Sequence, residues 1–75
     1  MEKYILTSTV YHMEKKFIFY GIALVKISMG MYELVKKYND ISENKEMVAS
    51  LVDNCNKLKL DESQLVEEIN NLFDL

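Results

Sequence analysis

The sequence has no arginine, no proline and no tryptophan, a single cysteine and a single histidine, and only two glycines. Each absence removes a class of function. Without arginine there is no planar fork for bidentate phosphate or guanine contacts. A duplex-DNA reader would also want its cations clustered on one element, and here nine lysines are scattered. One cysteine cannot close an internal disulfide, so the chain is no disulfide-stapled secreted scaffold. Gly21 and Gly30 stand apart, so there is no glycine-rich phosphate loop. No cysteine–histidine spacing fits zinc. The charge-free stretch Phe17–Val25 falls short of the about 20 apolar residues that a membrane span needs. The start, Met1-Glu2-Lys3-Tyr4, shows no basic segment followed by an apolar one, so a signal peptide is not expected and the expected location is cytoplasmic.

What is present is a chain of 75 residues, 49% hydrophobic and 28% charged. That is the make-up of one globular domain. A domain near this size buries only about 60% of the surface its unfolded chain exposes, so its stability is marginal and self-association or a partner is a common remedy. The net charge of −3 is uneven. Residues 1–38 carry six lysines and three acids; residues 39–75 carry three lysines and nine acids. Composition switches at the same place, from β-branched and aromatic residues to Glu, Asn, Lys and Leu.

The first half reads as strands. Lys3–His12 is rich in Thr, Val, Tyr and Ile, which suit a pleated surface. Met13–Lys16 is the expected turn. Phe17–Lys26 is apolar on both alternation sets, the pattern of a central strand covered twice. Ile27–Gly30 is the next turn, with Gly30 supplying a permissive φ. Met31–Tyr38 alternates as a half-buried strand with Tyr32, Leu34 and Tyr38 on one side, although Met31, Leu34, Val35 and Tyr38 also fit one helical face.

The second half reads as two helices. Asn39–Ser42 should open the first, with Ser42 as its N-cap. Met47, Val48, Leu51, Val52, Cys55 and Leu58 form its apolar stripe. Asp61 followed by Gln64 approximates a capping box for the second, and Leu60 and Leu65 occupy the staple positions around it. Leu65, Val66, Ile69, Leu72 and Phe73 form the second stripe. The fold class is therefore α+β: a three-stranded antiparallel sheet over residues 1–38, followed by a helical pair over 42–75 packed on one face, in the order β-β-β-α-α. The two stripes can cover one sheet face. Phe17, Phe19 and Val25 would be left on the other, in water.

Chemistry-bearing residues are few. His12 lies at a strand end. Ser8, on the same strand face, is roughly 13 Å away at about 3.3 Å per residue, too far to form a pair with it. Cys55 sits within a helix stripe beside Asp53, which suits a core residue better than a reactive thiolate. Asp40–Asn44 resembles the start of a calcium loop, but Lys45 stands where glycine is required and Leu51 where a bidentate glutamate is required. Lysines interleaved with Tyr4, Tyr11, Tyr32 and Tyr38 could suggest base stacking on single strands, but the lysines fall on turns and strand ends.

From Tyr20 onward the chain resembles a family of small proteins of Gram-positive anaerobic bacteria known only as a domain of unknown function. The residues that carry the resemblance are Tyr20-Gly21-Ile22, Asp40-Ile41-Ser42, Lys45, Val48, Leu51, Leu58, Leu65 and Ile69. Where such proteins often show His-Leu-Tyr-Asp on the second helix, this chain has Gln64-Leu65-Val66-Glu67. The resemblance implies a shared fold and carries no activity.

The expectation is thus a non-enzymatic protein-interaction module without cofactor, metal or small-molecule substrate. It would bind no membrane and no duplex nucleic acid, and would form a homodimer or join a protein partner through the open sheet face at Phe17, Phe19 and Val25. The alternative is a mobile-element or phage-encoded inhibitor, presenting Glu62, Glu67 and Glu68 to a basic groove of a host enzyme or nuclease.

Overall fold

A computed structural model describes residues 1–73; Asp74 and Leu75, the end of the expected helical segment, lie outside the described residues. The order is β1 (Glu2–His12), β2 (Lys16–Ser28), β3 (Met31–Ser42), α1 (Lys45–Leu58) and α2 (Glu62–Phe73). The strands form one antiparallel sheet with β2 in the centre. The expected β-β-β-α-α architecture is the observed one, and residues 31–38 are strand.

Both faces of β2 are apolar, but the described helices cover only one of them, so the double cover expected of this central strand is not observed. Its even-numbered residues face the helices. Ile22 and Leu24 pack with Tyr4, Ile41, Val48, Leu51, Val52, Cys55 and Leu65 in one cluster. Ile22, Val48, Cys55 and Leu65 are fully enclosed. Burying an aliphatic side chain of this size stabilises by about 1.5–3 kcal/mol, so this cluster is the main apolar support of the fold.

The strands join by two tight connections. The β2–β3 turn is Met29-Gly30, both at positive φ (53° and 77°), as a two-residue hairpin of matching twist demands. Gly21 is needed for a different reason. A Cβ there would collide with the Tyr38 carbonyl and crowd the Asn39 Cα, 3.2 Å away. β3 passes this close because its register slips between the Tyr20 and Ile22 rungs, where Asp40 takes a left-handed φ of 57°.

β3 departs from the simple alternation expected of it. A second slip, between the Leu24 and Val25 rungs, places Val35 as an extra residue. Leu34 lies opposite Val25, and Lys36 opposite Leu24. The bulge therefore moves Tyr32 and Leu34 to the open face while Tyr38 stays on the helix face. Tyr38 is half-buried, but Tyr32 and Leu34 are largely exposed rather than half-buried.

The start of α1 also differs. Asn39–Ser42 ends β3 rather than opening a helix, and Ile41 is a core residue there. The cap is Asn44, whose Oδ1 accepts from Met47 N at 3.1 Å. Ser42 Oγ instead accepts from Asn44 N, holding the entry turn. α1 ends at Lys59, which adopts φ 51°, with Leu60 N donating to Cys55 O at 3.0 Å. This is the paired-bond arrangement that closes many helices. It sends Leu60 inward and leaves Leu58, expected in the stripe, 70% exposed.

α2 begins with the expected reciprocal box. Gln64 N donates to Asp61 Oδ1 and Asp61 N donates to Gln64 Oε1, both at 2.9 Å. Leu65 is buried, with Ile69 and Leu72 partly so, while Val66 and Phe73 of the expected stripe are exposed. The helices thus cover the sheet with a narrower stripe than their sequence offers.

Candidate functional site

Residues opposite one another in an antiparallel pair share a face. The face away from the helices therefore carries Thr9 and Tyr11 from β1, the odd-numbered residues of β2, and Tyr32, Leu34 and Lys37 from β3. No described helix lies over it.

Of the three residues expected to be open there, the structure exposes them unequally. Phe17 is 37% exposed and Phe19 half-buried, but Val25 is only 5% exposed, so it is not left in water. Val25 is flanked by Lys3 and Leu34 across the sheet, and Ala23 by Ile5 and Lys37. Those longer side chains close over the middle of the face. The apolar surface that remains lies toward its two ends. One end carries Tyr11 and Phe17. The other carries Tyr32 and Leu34, 66% and 59% exposed. The β3 contribution was missed in the sequence because the bulge at Val35 inverts its alternation.

The Tyr11 end is ordered by specific contacts. Its ring meets Phe19 edge to face, with centroids 5.7 Å apart. Its hydroxyl donates to Asp40 Oδ2, linking β1 to the irregular end of β3. That hydrogen bond raises the Tyr11 pKa above 10.0.

The expected acidic face is not one patch. At about 100° per residue, Glu62, Glu67 and Glu68 point in three directions around α2. Glu67 and Glu68 are exposed. Glu62 lies 3.9 Å from Lys36 Nζ, on the sheet.

The remaining chemistry-bearing groups sit where the sequence placed them. His12 is exposed at the end of β1. Cys55 is a free thiol, fully enclosed, with its pKa raised by burial and then by Glu68. No group of three potential metal ligands is found among the described residues. A shallow cleft of about 730 Å³ runs beside Tyr4, Leu24, Asn56 and Leu60. Glu2, Lys3, Lys59, Asp61 and Glu62 also line it, and the polar groups at its centre are engaged with one another. Tyr4 Oη donates to Leu60 O, and the Asn56 carboxamide both accepts from Tyr4 N and donates to Tyr4 O, all at 2.8 Å. Asn56 was not singled out in the sequence. The available signal is a poor helix former placed beside the α1 apolar stripe.

Compared with protein-family models, curated proteins and solved structures, the chain matches none of them. No described helix is long and apolar enough to cross a membrane.

Proposed function

We propose that the chain is a non-enzymatic protein-interaction module that self-associates through the open face of its sheet. The observation that carries this reading is a surface larger than a self-contained monomer needs. The accessible area is 5700 Å². A compact monomer of 8.8 kDa would expose about 4,800 Å². The excess, about 900 Å², is close to the roughly 800 Å² that each partner buries in an interface of ordinary size. The shape agrees: the molecule is a slab of 43 × 30 × 17 Å. Its radius of gyration is 13.1 Å, against about 11 Å for a compact chain of this length. The apolar side chains at Tyr11, Phe17, Tyr32 and Leu34 supply the contact.

Of the residues behind the resemblance to the small bacterial family, Gly21, Ile41, Val48, Leu51, Leu65 and Ile69 pack the interior or permit a close approach, while Asp40, Lys45 and Leu58 are exposed. The inhibitor reading has exposed Glu67 and Glu68 in its favour, but the divergence of the three glutamates leaves it second.

Sedimentation across a concentration series tests the proposal, with Phe17→Lys and Leu34→Lys as variants at the two ends of the face. Wild type should self-associate, and each variant should associate at least tenfold more weakly while keeping its circular dichroism. Wild type that stays monomeric at about 500 μM, or variants that associate as tightly as wild type, would overturn it.

A further inference from the structure

We propose that the outer edge of β1, from Leu6 to His12, pairs antiparallel with the same edge of a second copy, centred on Thr9, so that the two sheets become one. The identity of the partner rests on the self-association reading; the surface is a different one.

The hydrogen-bonding parity of β1 establishes what that edge offers. Met1 exchanges backbone hydrogen bonds with Ile27 of β2. The β1–β2 register then runs without a slip to His12. In an antiparallel pair such exchanges fall on alternate residues. The odd-numbered residues of β1 therefore bond to β2, and Tyr4, Leu6, Ser8, Val10 and His12 turn their N–H and C=O outward. At Tyr4 the outward pair is closed by the Asn56 carboxamide, which acts as a peptide group from a missing strand. From Leu6 to His12 the outward groups have no partner among the described residues.

The other edge of the sheet shows how this chain guards an edge. β3 has two register slips, a left-handed Asp40, and charges at Glu33, Lys36 and Lys37. Bulges and lysines are the ordinary means of preventing strand addition. β1 between Leu6 and His12 has no bulge, no lysine, no acid and no proline. Its residues, Leu-Thr-Ser-Thr-Val-Tyr-His, favour extended pairing. One edge is protected and the other is bare.

The bare stretch is complementary to itself in a single register. With Thr9 opposite Thr9, Leu6 of one copy meets His12 of the other and Ser8 meets Val10. Every outward group then faces an outward group, and no charged residue falls within the seam. A shift of two residues one way sets His12 against Tyr4, where Asn56 already occupies the edge. The opposite shift sets Leu6 against Glu14, beyond the end of the strand. The Asn56 clamp and the end of β1 thus bound the seam on both sides.

The test is a register-specific cross-link. In this pairing Thr9 forms a non-hydrogen-bonded rung with its own copy, where Cα atoms lie about 4.5 Å apart, within the range a disulfide spans. Thr9→Cys should form a covalent dimer under mild oxidation. Thr7→Cys should not, because it lies opposite Tyr11 and roughly 13 Å along the strand from its own copy. Cys55 is enclosed and contributes no cross-link. Ser8→Pro removes an outward N–H and no bond within the sheet, and in the Phe17→Lys background, where the face is already altered, it should weaken the remaining self-association at least tenfold. Combining Phe17→Lys with Thr9→Cys alters the face and should leave the cross-link in place. If wild type associates but Thr9→Cys cross-links no better than Thr7→Cys, the edge proposal fails and the face reading stands. If wild type is monomeric at about 500 μM, both fail. Should Ser8→Pro not fold, the cysteine pair decides alone.

Discussion

At the scale of single residues, side chains that look ordinary in the sequence carry specific loads. Asn56 joins α1 to the edge of β1 through two hydrogen bonds of 2.8 Å, and the partner groups are part-buried. Asn56→Ala leaves an N–H and a C=O without a partner, which costs about 1–3 kcal/mol. Urea denaturation should show that loss as a lower midpoint at an unchanged slope. Met29 presents the opposite case. It is 98% exposed and held at φ 53°, a conformation that disfavours its side chain and that nothing in the described structure repays. Asn-Gly is the preferred pair for this turn. Met29→Asn should therefore raise stability by about 0.5–1 kcal/mol, read as a higher thermal midpoint. Neither residue could be ranked from the sequence alone. The role of Asn56 depends on a strand 52 positions away, and the strain at Met29 depends on the two-residue length of the turn.

At the scale of elements, the sequence was legible where signals are local and misleading where register intervenes. The second helix start shows the first case. Asp61, Gln64 and the Leu60–Leu65 staple lie within a few residues of one another, and all take their expected places. The first helix start shows the second. Ser42 is a sound N-cap by composition, but β3 must run on to bring Ile41 into the core, and the cap moves to Asn44. The same non-local cause hid half of the open face. One inserted residue at Val35 carried Tyr32 and Leu34 across the sheet, and no alternation count contains that information. The Asp61 cap yields a pH prediction. The Gln64 N–H, and then the Ser63 hydroxyl, stabilise its carboxylate and hold its pKa below the ordinary 3.8. A depressed folded-state pKa contributes stability that is present above 3.8 and is lost as pH falls through the lower folded value. The start of α2 should loosen over that window. The Asp61 carboxyl resonance should titrate below 3.8, and Ser63→Ala, which removes the hydroxyl donor but leaves the Gln64 N–H, should move it part of the way back toward the ordinary value.

At the scale of the whole molecule, the decisive feature is that one helical layer serves a sheet with two apolar faces. The fold closes part of the deficit internally, since Lys3, Leu34, Ile5 and Lys37 flank Val25 and Ala23 and leave them buried. The rest, at Tyr11, Phe17, Tyr32 and Leu34, is the surface that self-association would cover. If it does so, stability and assembly are linked. Any partner that binds only the folded state stabilises it by mass action. For a dimer that dissociates on unfolding, each tenfold rise in concentration above the dissociation constant adds about 0.7 kcal/mol per chain. In a domain of this size that moves the thermal midpoint by about 3–5 °C. Calorimetry in tenfold steps from about 10 to about 1,000 μM should therefore show a midpoint that climbs at each step. Phe17→Lys should flatten the climb by shifting the dissociation constant upward, without lowering the midpoint of the dilute wild-type monomer, because Phe17 is not in the enclosed core cluster. A midpoint independent of concentration over this range would mean that the open face is tolerated by a stable monomer, and the partner would then have to be a different protein.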